Sequence, residues 1–182
     1  MKFVPTKIEG VWIIEMERHH DERGWFARTW CKDEFSAQGI EEGFVQCSSS
    51  FNLRRGTLRG MHHQAAPHEE AKVVRCIRGA IYDVALDLRE GSPTFRQWVG
   101  VELTADNGLA LYIPKGCAHG FQTLADNTEV FYQISTPFHP GYGRGVRWND
   151  PAFGIEWPAE ASLIQSERDR NYPLVTGPTT SS

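Results

Sequence analysis

The sequence predicts an all-β domain, a sandwich or barrel of short strands. Three observations carry this. Segments in which apolar and polar residues alternate with period 2 recur at short spacing. Turn residues stand between them: the 182 residues include 17 glycines and 10 prolines, a modest excess that favours many turns. Helical periodicity is scarce.

The clearest strand is 81–88. Tyr82, Val84, Leu86 and Leu88 share one face and Asp83, Ala85 and Asp87 the other, the pattern of a strand with one buried face. Residues 73–77 form the strand before it, and Arg78-Gly79-Ala80 reads as a hairpin connection in which glycine takes positive φ. Residues 97–103, 109–113 (stopped by Pro114) and 129–135 are further strands. Residues 33–38 suit one short helix with Gly39 as its C-cap, and a second short helix is expected around 158–163. A single domain is expected over 1–175. The tail 176–182 is expected to be disordered, since it has no apolar side chain to anchor it.

Composition excludes several classes. Hydrophobic residues at 40% and charged residues at 23% fit a folded domain. The 19 basic and 23 acidic residues give a net charge of −4, the wrong sign for a nucleic-acid binder. No apolar run suggests a signal peptide or a membrane span. Cys31, Cys47, Cys76 and Cys117 are scattered, without a CxxC pair, and read as reduced thiols. The expectation is a cytoplasmic protein with neither nucleic-acid nor membrane partners.

Two stretches carry chemistry. Pro114-Lys115-Gly116-Cys117-Ala118-His119 fits PxGxxH, a motif of the cupin superfamily: Pro114 ends a strand, Gly116 turns, and His119 starts the next strand pointing inward. His62-His63-Gln64 is the second. A metal-binding cupin would want His-x-His here, because alternate strand residues share a face. Gln64 breaks that pattern and sends His62 and His63 to opposite faces. An iron site built from His62, Glu69 or Glu70, and His119 remains a competing reading. Taken singly, His119 is equally a structural histidine, Tyr132 a core aromatic, and Lys72, Arg168 and Asp169 solvated charges.

Their combination is more specific. Leu58-Arg59-Gly60-Met61-His62-His63-Gln64, Lys72, the stretch 114–121, Tyr132, Asn149-Asp150 and Ser166-Glu167-Arg168-Asp169 occur in one β-rich chain, with Asp21-Glu22-Arg23-Gly24-Trp25-Phe26 before them. In these segments the sequence resembles the dTDP-4-dehydrorhamnose 3,5-epimerase family over nearly its whole length. The resemblance implies a cupin-type jelly-roll barrel with a few short helices, free of metal and cofactor, usually a homodimer. It implies a nucleotide-linked 4-keto-6-deoxyhexose as substrate, inverted at C5 and C3 through enolates. The family's base matches His62, its proton donor Tyr132, and the aspartate behind the base Asp169. Lys72 and His119 match groups near the keto oxygen. Nucleotide and diphosphate contacts match Arg23, Phe26, Gln46, Arg59 and Arg168, with Arg23 and Phe26 reaching over from the partner subunit. Ser48 and Phe138 are added as contacts near the base.

The chemistry of these residue types agrees. A proton beside a ketone needs a base, and the forming enolate needs its charge stabilised. His62, with an ordinary pKa of about 6.5, suits the first task. A neighbouring carboxylate, Asp169, would fix its tautomer, and Lys72 would meet the oxyanion. Inversion then needs an acid on the opposite face, for which Tyr132 is placed on a strand between Val130 and Ile134. Arg59 suits diphosphate through bidentate hydrogen bonding. Three positions depart from the family pattern: Arg28 and Gly143 stand where acids are usual, and Ser48 where asparagine is usual. Inversion of one carbon, a metal-dependent oxygenase and a non-catalytic sugar-binding domain are the alternatives.

Overall fold

The alternation in the sequence builds two antiparallel sheets that face each other as a jelly-roll barrel. The computed structural model describes residues 1–40, 43–160 and 162–175. The first sheet joins β1 (Lys2–Pro5), β2 (Trp12–Glu15), β10 (Leu109–Ile113), β7 (Lys72–Arg78), β12 (Thr128–Ile134) and β5 (Gln46–Asn52), in that order. The second joins β13 (Gly143–Gly145), β6 (Leu58–Gln64), β11 (Cys117–Thr123), β8 (Ala80–Asp87) and β9 (Trp98–Thr104). β3 (His19–Asp21) and β4 (Gly24–Phe26) make a separate hairpin.

Three layers of apolar side chains hold this arrangement. Val74, Cys76, Ile81, Ala85, Leu103, Leu111, Phe121 and Val130 meet between the sheets. Phe35, on α1 (Lys32–Ser36), caps the outer face of the first sheet against Ile14, Val73 and Tyr112, with Phe3 edge-on to it at 5.1 Å. Phe153, with Ile155 and Trp157 packed alongside, covers Val84 and Leu86 on the outer face of the second. Each fully buried aliphatic side chain contributes roughly 2 kcal/mol.

Three expectations are corrected. β8 is buried on both faces, because the segment after β13 folds over its outer side. The Arg78-Gly79-Ala80 link is not a hairpin: β7 pairs with β10 and β12, and β8 with β11 and β9. Gly79, at φ +77°, turns the chain from one sheet to the other, where a side chain would strike Thr128. The first helix, Lys32–Ser36, is closed as expected by Gly39 at φ +75°, whose amide donates to the Ser36 carbonyl at 2.9 Å while the Ile40 amide donates to that of Phe35 at 3.1 Å. The described residues within 158–163 are irregular, and the second helix is α2 (Glu167–Arg170). Ser166 decides its start by accepting the Asp169 amide at 3.0 Å. The expected disordered tail, 176–182, lies outside the described residues.

Candidate active site

A cavity of about 670 Å³ opens between the two sheets. That volume suits a ligand larger than a simple sugar.

One wall comes from β6 and β11. Arg59 and His62 lie three residues apart, so strict alternation would send them to opposite faces. A bulge brings them together: His119 pairs with His62 and Phe121 with Arg59, so Gly60 and Met61 oppose Gly120 alone. Met61 goes into the outer apolar layer, while Arg59, His62, His119 and Phe121 line the cavity. Glycine is required at this crossing, since a Cβ on Gly60 would lie 2.5 Å from Gly120 Cα.

His62 Nε2 lies 2.6 Å from Asp169 Oδ1. α2 delivers Asp169, and the chain before it is tied to the barrel by the parallel bridge between Thr57 and Ile164. Asp169 Oδ2 also accepts the Gly60 amide at 3.3 Å. Burial opposes charge on this carboxyl, but the bonds from His62, Gly60 and Ser166 outweigh it and hold its pKa below the ordinary value. An ionised carboxylate only accepts, so Nε2 is the donor of this pair, and in the neutral imidazole the lone pair is then at Nδ1. His119 repeats the motif deeper in the barrel: its Nε2 donates to Asp83 Oδ1 at 2.7 Å, and both residues are buried.

The facing wall comes from β5, β12 and β7. Tyr132 stands opposite Ser48 and Val74 in the ladder, with its hydroxyl 3.1 Å from Ser50 Oγ. Burial pushes the phenol pKa up. Lys72 Nζ lies 2.7 Å from Glu70 Oε1. Gln46 Oε1 accepts the Phe138 amide at 3.1 Å, and its Nε2 donates to Ser48 Oγ at 3.4 Å. Arg59 Nε donates to Asn52 Oδ1 at 2.7 Å. Arg168, on α2, closes the rim with its guanidinium 5.6 Å from the centre of the Tyr172 ring.

A sequence profile for dTDP-4-dehydrorhamnose 3,5-epimerase matches residues 5–176. The chain belongs to the dTDP-4-dehydrorhamnose 3,5-epimerase family. An epimerase of this name from Methanothermobacter thermautotrophicus is 44% identical over 180 residues, covering 97% of this chain and 96% of the relative. The crystal structure of the Bacillus anthracis epimerase with TDP and PPi bound superposes with a TM-score of 0.91 at 40% identity, covering 96% of this chain and 99% of that one. The Legionella pneumophila enzyme in complex with dTDP-4-keto-L-rhamnose gives 0.90 at 36%, covering 95% and 92%.

Within this epimerase chain, ten of the residues singled out from sequence line one cavity: His62, Tyr132, Asp169, Lys72, Gln46, Ser48, Arg59, His119, Phe138 and Arg168. Arg23 and Phe26 are not among its lining. They sit on the β3–β4 hairpin, Arg23 paired with Asp21 and Phe26 76% exposed. Among the described residues no group of three His, Cys, Asp or Glu side chains is arranged to hold a metal ion. The departures have local settings: Arg28 pairs with Glu34 at 2.7 Å, and a Cβ on Gly143 would lie 3.4 Å from Arg168 Nη2. Sequence reasoning missed Asp83, Asn52 and Ser50 as partners of site residues. Asp83 left no signal: on a strand read with one buried face it falls on the polar side, and its burial comes from the structure.

Proposed function

We propose that this epimerase converts dTDP-4-dehydro-6-deoxy-D-glucose to dTDP-4-dehydro-L-rhamnose, inverting C5 and C3 in turn. One observation carries the reading: His62 and Tyr132 project into one cavity from different sheets, so a sugar ring between them presents opposite faces to each. His62 Nδ1 takes the proton beside the ketone, and Asp169 steadies the imidazolium that forms. The C–H electron pair moves to the carbonyl oxygen, where the Lys72 ammonium meets the enolate charge. Tyr132 then delivers its proton to the other face of the same carbon, and the phenolate recovers one from solvent as His62 releases its own. Arg59 and Arg168 suit the diphosphate, and Gln46, Ser48 and Phe138 the nucleoside end.

Solvent deuterium incorporation into dTDP-, CDP-, UDP- and GDP-linked 4-keto-6-deoxyglucose, followed by NMR, tests this. Label is expected at C5 and C3 of the dTDP sugar, with inversion. Label at one carbon would make the protein a mono-epimerase, and no label in any sugar would end the proposal.

The reading extends to a cytoplasmic homodimer whose 1–175 unit is one epimerase domain. All four cysteines are unpaired, as a reducing compartment keeps them. No helix among the described residues is long and apolar enough to cross a membrane. Exposed Phe51 and Ile77 on the first sheet, and Trp25 and Phe26 on the hairpin, offer apolar surface for a second copy. Arg23 and Phe26 of the partner subunit would then complete each site. Mixing inactive His62→Ala and Arg23→Ala proteins should restore activity in hybrid dimers. No recovery after subunit exchange would place Arg23 outside the site.

A further inference from the structure

Asp169 grips His62 at a single atom, Nε2. One hydrogen bond fixes a point, not a plane, and leaves the imidazole free to swing about that bond. Tyr172 supplies the second constraint. Its ring stands 6.1 Å from the imidazole centre at 65°, an edge-on contact. The same ring lies under the Arg168 guanidinium at 5.6 Å. The ring is itself held. It fills the space beside Gly145 on β13, where any side chain would strike it, and its own carbonyl accepts Arg147 Nε at 2.7 Å. Tyr172 is not among the residues that line the cavity.

We propose that Tyr172 is a positioning residue serving two groups at once: its ring aims His62 Nδ1 at the substrate carbon and steadies Arg168 for the diphosphate. This rests on the roles given above to His62 and Arg168. The contact with His62 is made by the ring alone, while the hydroxyl also interacts with Arg168, so Tyr172→Phe should keep the aim of the base and Tyr172→Ala should lose it.

The experiment compares wild type, Tyr172→Phe and Tyr172→Ala by deuterium exchange into dTDP-4-keto-6-deoxyglucose and by the downfield NMR signal of the His62 Nε2 proton. Tyr172→Phe should keep kcat within about two-fold of wild type. Tyr172→Ala should lose about ten-fold in kcat, as a misaimed base does. Its KM should rise about five-fold from the lost stacking of Arg168, and the Nε2 proton should broaden while unfolding stays cooperative. Tyr172→Ala with kcat, KM and the proton signal unchanged would overturn the proposal, and so would equal losses in both variants. If wild type exchanges no proton, the proposed function fails. The Nε2 signal then decides this inference alone: lost only in Tyr172→Ala it stands, sharp in both it falls.

Discussion

Gly60 and Gly120 meet backbone to backbone beneath the candidate base: a Cβ on Gly60 would lie 2.5 Å from Gly120 Cα and 2.9 Å from the His119 carbonyl. Gly60 also sits at φ +126°, a region that side chains rarely adopt. The atoms it would strike are backbone, so no flexible side chain can yield. Gly60→Ala should destabilise the protein by about 2–5 kcal/mol, and urea unfolding measures this. A cost below about 1 kcal/mol would mean the bulge can open without penalty. Because the bulge is what turns both Arg59 and His62 inward, this variant should also lose proton exchange.

Asp169→Asn should separate orientation from bulk. The amide has the same shape but offers a donor or a neutral acceptor where His62 Nε2–H needs a carboxylate. Exchange should fall by about 10²–10⁴-fold with the fold intact. The depressed pKa of Asp169 gives a sign for pH as well. Its bonds add stability that is fully present above the unfolded value of about 3.9 and is lost as pH falls through the lower folded value. An Asn variant that exchanges as fast as wild type would remove Asp169 from the dyad.

Tyr132→Phe should split the reaction into its halves. Abstraction by His62 survives, so label should still enter the substrate, while inversion slows by about 10²–10⁴-fold without the opposite-face donor. Burial raises the phenol pKa, so the donor stays protonated above its ordinary value near 10. Loss of activity below that pH therefore belongs to other groups. Equal rates of exchange and inversion in Tyr132→Phe would take the acid role away from it.

Much of this was legible in residue order. The alternation of Val130, Tyr132 and Ile134 put the phenol on an inward face, and Pro114, Gly116 and His119 spelled a strand end, a turn and an inward histidine. What escaped the sequence was non-local. Period 2 cannot place Arg59 and His62 on one face, because the bulge depends on a glycine sixty residues away in the chain. Gly79 looked like a hairpin, since a local pattern does not record which sheet the next strand joins. Asp83 read as solvent-facing until the opposite sheet and the segment around Phe153 closed both sides of β8. The Ser166 cap is local, three residues before Asp169, but it lies in a run whose charges read as a solvated stretch.

Asp87 shows where stability, rather than chemistry, is concentrated. Its carboxylate is fully buried and accepts Arg89 Nε and Nη2 at 2.8 Å each, Ser92 Oγ at 2.6 Å and Thr94 Oγ1 at 2.7 Å. Burial alone would raise its pKa, but these donors overcome it and hold the group well below the usual carboxylate range. The stabilisation is complete above the unfolded value of about 3.9 and drains away as pH falls toward the folded value. Asp87→Ala leaves Arg89 and two hydroxyls without their acceptor and should cost about 3–5 kcal/mol at neutral pH. The gap between variant and wild type should narrow in denaturant titrations below about pH 3, as wild type loses the same charge. A gap that stays constant from pH 7 to pH 2 would show that packing around Asp87, not its ionised form, is what the loop at 89–96 depends on.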